Sequence, residues 1–89
     1  MAYEWDEAKR AANLRKHGID FADMEEFDWS TAIYDTDESA DGEDRFMAIG
    51  LLGGRVHVVI FTFCGEITRI ISARKAERKE VRRYEKETY

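Results

Sequence analysis

The amino-acid sequence predicts an α+β fold, and three observations carry that expectation. Helix caps bracket the first part of the chain, with Asp6 and Gly18 enclosing one helical segment and Asp20 opening another. From Arg45 the pattern changes to three strand-like runs joined by glycine-bearing reversals. The last stretch, rich in Arg, Lys and Glu, returns to helical spacing. Of the 89 residues 44% are apolar and 11 are aromatic (2 Trp, 4 Tyr, 5 Phe). That is enough for one core and leaves no room for a second, so one domain is expected over residues 1–89.

Taken in order, Tyr3-Glu4-Trp5 reads as a short strand or extended entry. Asp6 is the N-cap of a helix from Glu7 to about His17, with Gly18 as its stop. Arg15, Lys16 and His17 in the last turn suit the negative end of the helix dipole. A second helix opens at Asp20, where Ile19 and Met24 take the two positions of a hydrophobic staple, and ends near Phe27 or Asp28. Ala32-Ile33-Tyr34 is a short strand leading into an acidic loop from Asp35 to Asp44. Arg45 to Leu52, Arg55 to Phe63 and Glu66 to Ala73 then form an antiparallel meander, reversed at Gly53-Gly54 and at Cys64-Gly65. The run from Val56 to Phe63 is apolar on both faces, which places it at the centre of the sheet. A C-terminal helix is expected from Ser72 or Ala73 to about Glu87.

Charge is divided sharply along the chain. Between Asp20 and Asp44 stand 11 acidic residues and no Lys or Arg, so the net charge of −5 hides a remainder with 14 basic against 8 acidic residues. Eight of the basic residues lie between Arg69 and Lys86, with only Glu77, Glu80 and Glu85 among them. A clustered basic surface is the electrostatic footprint of a phosphate-rich partner. Other classes are disfavoured. The single cysteine, Cys64, rules out an internal disulfide or a cysteine-rich zinc site, and two histidines without a spaced Asp/Glu/His pattern predict no metal and no cofactor. No Gly-rich phosphate loop is present. The absence of a leader-like start and of any long apolar run predicts a cytoplasmic protein without a membrane partner.

Two clusters carry the candidate chemistry. On the first helix Lys9, Asn13 and Lys16 or His17 fall at i, i+4 and i+7 or i+8, on one face. Such a stripe on a surface helix is most often only solvated, with His17 beside Gly18 closing the helix end; Asn inside a helix and the mixture of donor types add weight to a site. The second cluster is Arg69-Ile70-Ile71-Ser72-Ala73-Arg74-Lys75, read as the junction between the last strand and the last helix, where backbone N–H groups favour a phosphate. There Arg74 and Lys75 oppose the helix dipole and call for an anion, either a ligand or a carboxylate such as Glu77. Beyond it Arg74, Arg78 and Arg82 line up at i, i+4, i+8. Arg45 opens a strand beside Asp44, His57 reads as a satisfied core or edge histidine, and Cys64 has no catalytic neighbour in sequence.

Taken together, Glu4-Trp5-Asp6 with Lys9 and Asn13, Lys16-His17-Gly18-Ile19 with Phe21, Arg45 with Ile49-Gly50, and Arg69 to Ala76 with Glu77-Arg78 and Tyr84-Glu85 resemble the BrnT family of toxins from bacterial type II toxin–antitoxin systems. The resemblance spans nearly the whole chain. It implies a RelE-like fold, a metal-independent endoribonuclease that slows translation, and a BrnA-like ribbon-helix-helix antitoxin through which alone operator DNA would be bound. RNA cleavage of this kind needs a proton carrier and cations at the phosphorus. Histidine titrates near neutrality, so His17 is the expected proton carrier, with Glu77 as substitute base. Arg45, Arg69 and Arg74 are the expected phosphate-stabilising set, with Lys9 in support. Asn13, Lys16, Lys75, Arg78 and Arg82 are expected RNA contacts. RelE-like ribonucleases tend to be basic, whereas this chain has a pI near 5.0; either the acidic segment faces away from RNA, mimics nucleic acid or holds a basic antitoxin segment, or this member has lost the nuclease role. The alternative function is a non-catalytic module that binds through the basic C-terminal helix and the acidic 20–44 segment.

Overall fold

The computed structural model describes residues 2–37 and 44–88. Its elements are β1 (Ala2–Glu4), α1 (Glu7–His17), a 3₁₀ helix (Phe21–Glu26), β2 (Ile33–Asp37), β3 (Arg45–Leu52), β4 (Arg55–Cys64), β5 (Ile67–Lys75) and α2 (Arg78–Thr88). Five strands form one sheet in the order β1-β5-β4-β3-β2, antiparallel except for the parallel β1–β5 pair. The α+β, RelE-like expectation is met, with β4 at the centre as its two apolar faces require.

Local chemistry explains α1. Asp6 Oδ1 accepts the backbone N–H groups of Ala8 at 2.8 Å and Lys9 at 3.2 Å, and the Gly18 N–H closes the last turn on Leu14 O at 2.9 Å. The second helix is present but wound as a 3₁₀ helix. Phe21, Met24 and Phe27 recur every third residue and all are buried, a spacing that aligns on one side at three residues per turn. Gly53 and Gly54 both lie at positive φ (60° and 78°), as a two-residue turn between β3 and β4 demands.

Three boundaries differ from the sequence reading. β2 runs on to Asp37, because each of its residues pairs with β3 as far as Asp37 opposite Arg45. The acidic loop is therefore strand at its start, and its stretch 38–43 lies outside the described residues. The second reversal is at Gly65-Glu66, since β4 extends to Cys64 opposite Ile67. Most consequential, β5 continues to Lys75, and α2 begins only at Arg78. The helix-favouring residues Ala73 to Lys75 are held extended because they pair with Val59, Val58 and His57 of β4. Cross-strand pairing here overrides intrinsic propensity.

The sheet separates two apolar clusters. On one face the 3₁₀ helix and the following loop bury Ile19, Phe21, Met24 and Phe27 against Ala48, Val59, Phe61, Ile70 and Ala73. Each large side chain buried there contributes about 1.5–3 kcal/mol. On the opposite face α2 sets Tyr84 against Ile49 and Val58. A β-bulge between Ile60 and Phe61 opposes them to Ser72 and Ile70, leaving Ile71 as the extra residue of β5.

Candidate active site

The cleft is built where α1 meets the edge of the sheet. β1 pairs with β5 only as far as Arg69, so the outer edge of β5 beyond it is left for α1. Asn13 fills that edge. Its Nδ2 donates to Ala73 O at 2.9 Å and to Ile19 O at 3.0 Å, and its Oδ1 accepts the Ala73 N–H at 3.1 Å. The carboxamide thus satisfies both backbone groups of Ala73 as a neighbouring strand would. Arg10, one turn earlier, holds the start of the 3₁₀ helix through Nε and Nη2 donating to the two Asp20 carboxylate oxygens at 2.7 and 2.9 Å.

Beside this joint is an open depression of about 380 Å³, lined by Lys9, Ala12, Asn13, Lys16, His17, Arg45, Ile71 and Ser72. Phe46 packs in the core beneath the 3₁₀ helix, so alternation along β3 puts Arg45 on the opposite face, the one that α2 covers only in part. Met47, Ile60 and Ser72 form one cross-strand row on that face, uncovered enough to remain half-buried. The cleft has an apolar and hydroxyl floor, two lysines and a histidine on its helical wall and an arginine on its strand wall. Among the described residues no side chain pairs with those of Lys9, Lys16 or His17. Arg45 stands across the β2–β3 pair from Asp37.

The remaining candidates are distributed elsewhere. Arg69 shares the face of Arg45, two strands away, and donates from Nη1 to Glu4 Oε2 at 3.4 Å; it does not line the cleft. Arg74 lies within β5 and is taken up by Glu80, so the anion its charge called for is Glu80, not Glu77. Lys75 lines a separate groove of about 430 Å³ between the β3–β4 turn and α2. Glu77 precedes α2 and is exposed, and Arg78 and Arg82 point into solvent from α2. The i, i+4, i+8 arginine stripe is broken because Arg74 belongs to a strand. Of the site residues expected from the sequence, Lys9, Asn13, Lys16, His17 and Arg45 stand together around this depression, whereas Arg69, Arg74, Glu77, Lys75, Arg78 and Arg82 do not line it. Ala12 lines the cleft without having stood out in the sequence, and Ile71 and Ser72 belong to the second sequence cluster without a role assigned there; the bulge at Ile71 has no signature in the local pattern.

His57 is buried with Nδ1 2.8 Å from Arg55 O, a histidine satisfied within the fold. The 3₁₀ helix, with Asp23, Glu25 and Glu26 exposed, packs on the face away from the cleft, so that part of the acidic segment lies apart from the cationic site. Among the described residues no three His, Cys, Asp or Glu side chains gather as a metal site, and no helix is long and apolar enough to cross a membrane.

Fold and cleft define an α+β protein, consistent with a RelE-like arrangement, whose partly open sheet face carries a cationic depression with a histidine at its rim. Residues 5–80 match the family model of the ribonuclease toxin BrnT of type II toxin–antitoxin systems. The chain belongs to that family, whose members are ribonuclease toxins; membership implies an RNA substrate and an antitoxin partner. No curated protein sequence matches the chain.

Proposed function

We propose that the chain is a metal-independent endoribonuclease acting as one BrnT-like domain in the cytoplasm, with the α1–β3 cleft as its active site. The observation that carries this reading is the meeting of Lys9, Lys16, His17 and Arg45 around one depression. The RNA 2′-oxygen bonds to the adjacent phosphorus while the neutral His17 imidazole takes the hydroxyl proton. The resulting imidazolium returns that proton to the departing 5′-oxygen, so that one strand ends in a 2′,3′-cyclic phosphate and the other begins with a 5′-hydroxyl. Arg45, Lys9 and Lys16 stabilise the charge that grows on the non-bridging oxygens, an effect worth about 2.7–4 kcal/mol per well-placed donor. Arg69 extends the phosphate track along the same face.

Such a cleavage slows translation and growth. The partner in this reading is a BrnA-like ribbon-helix-helix antitoxin that neutralises the toxin and carries it to operator DNA. Family membership supports an antitoxin; its structural class rests on the resemblance of the sequence to the BrnT family. The test is induced expression of wild type and Arg45→Ala in a bacterial host, with soluble protein verified for both. Growth arrest and RNA breakdown from the wild type alone are expected. Harmless expression of both, with no antitoxin present, would reject the ribonuclease.

One observation favours a second reading. Arg78, Lys79, Arg82 and Lys86 are all exposed along α2, and among the described residues none is ion-paired. A pure binding module using this ridge would lose affinity stepwise as each cation is removed and as salt rises. It would show no RNA cleavage.

A further inference from the structure

α1 carries the helical wall of the cleft, yet it is not held by an apolar face. Its one buried residue is Asn13, 7% exposed, whereas Leu14 is 45% exposed and Ala8, Ala11 and Ala12 lie at the surface. Helices usually dock through an apolar stripe, which tolerates sliding and repacking. Here the docking is polar and directional. The Asn13 carboxamide uses both atoms, bridging Ala73 of β5 and Ile19 beyond the helix end, with Arg10–Asp20 as the second tether. Lys9 lies one turn before Asn13, and Lys16 and His17 one turn after it, all three on the cleft. Ala73 directly follows Ile71 and Ser72, the two residues of β5 that line the floor.

We propose that Asn13 is a positioning residue of the reaction, and this rests on the α1–β3 cleft being the active site. Its carboxamide fixes α1 in distance and rotation against β5, and so sets Lys9, Lys16 and His17 opposite Arg45. It was expected from the sequence as an RNA contact; buried and committed to Ala73 and Ile19, it acts through the residues it places. The core beneath the 3₁₀ helix is built without any residue of α1, so loosening this joint disturbs the cleft before it disturbs the fold.

The test uses the full chain and a fluorogenic single-stranded oligoribonucleotide. Asn13→Asp keeps the shape and the acceptor for the Ala73 N–H but sets a carboxylate against two carbonyl oxygens. Asn13→Ser withdraws the contacts without adding charge. Both are expected to fold, by far-UV circular dichroism, with kcat lowered about ten- to hundredfold, the cost of a small misplacement. KM should stay within about threefold, since the cations remain. Leu14→Ala, exposed on the same helix, should keep the wild-type kcat. Full kcat in folded Asn13→Ser would overturn the proposal and leave Asn13 a stabilising contact only. Unfolding of both Asn13 variants would overturn it too, because the joint would then belong to the core. If His17→Ala and Arg45→Ala also retain full kcat, the cleft itself is not the active site and both readings fall. If those two lose activity while Asn13→Ser does not, only the positioning role falls.

Discussion

Arg74 and Glu80 form a two-pronged ion pair that fastens α2 to the last strand. Arg74 Nη1 donates to Glu80 Oε1 at 2.8 Å and Nη2 donates to Oε2 at 2.9 Å, while Oε1 also accepts the Glu77 N–H at 2.7 Å. The carboxylate thus serves two ends at once: it neutralises a strand arginine and caps the start of a helix. The pair joins the burial of Tyr84 against Ile49 and Val58 and the Arg83–Asp35 ion pair in holding α2 on the sheet. Glu80→Ala should destabilise the chain by about 2 kcal/mol, the worth of charge-assisted hydrogen bonds in a partly buried setting. Chemical denaturation measures it; a change below about 0.5 kcal/mol would place the pair among surface contacts of little weight.

Acid should weaken the same joints. Hydrogen bonds from Arg10 hold the Asp20 carboxyl at about 2, below its ordinary 3.8, with the Ala22 N–H contributing after them. The bond from Arg74 likewise lowers Glu80, against an opposing effect of burial. Folded-state values below the unfolded ones mean that this stability is fully present above the unfolded values near pH 4 and is lost as pH falls through the folded ones. The melting temperature should therefore be flat from about pH 7 to 5 and drop toward pH 2. Asp20→Asn should lower the plateau and soften the drop. Parallel curves for the two proteins would show that Asp20 takes no part.

Gly50 is a packing requirement. A Cβ built there meets Phe27 Cζ at 2.8 Å, Ala32 Cβ at 2.9 Å and Asp28 O at 3.3 Å. The loop from Phe27 to Ala32 crosses over β3 at this point, and the Asp28 N–H bonds to Leu51 O at 2.9 Å. Gly50→Ala should cost about 1–3 kcal/mol through overpacking, read as a lower denaturation midpoint with unchanged slope. An unchanged midpoint would mean that the loop moves aside freely.

The sequence made α1, β3 and the centre of the sheet legible because their signals are local: a capping Asp, a stopping Gly, paired glycines and an uninterrupted apolar run. It misplaced the start of α2 because Ala73 to Lys75 favour helix by themselves and are strand only through β4. Glu80, three residues after Glu77, was the local clue to the true helix start. The helical stripe Lys9, Lys16 and His17 was readable from spacing alone. That Arg45 faces it, while Arg74 does not, follows from strand register and from an ion pair, neither of which a linear pattern encodes. Asn13 shows the same limit: its partner Ala73 lies 60 residues away.

Exposed charge on α2 should matter less to catalysis than charge in the cleft. Arg82→Ala is expected to weaken RNA binding modestly and reduce the salt slope by about one, leaving kcat intact. Arg45→Ala should lower kcat by about a hundredfold or more. Steady-state kinetics at two salt concentrations separates them, and equal losses in both variants would favour the binding ridge over a discrete active site.

The most direct test of the central claim is cleavage of a synthetic oligoribonucleotide by the purified chain in excess chelator, alongside His17→Ala and a substrate carrying one 2′-deoxy nucleotide at the cut. The account predicts a 2′,3′-cyclic phosphate product from the wild type and no cleavage at the deoxy position. It also predicts a loss of about 10²–10⁴-fold in kcat for folded His17→Ala. Cleavage at the wild-type rate by folded His17→Ala, or cleavage of the deoxy substrate, would contradict it.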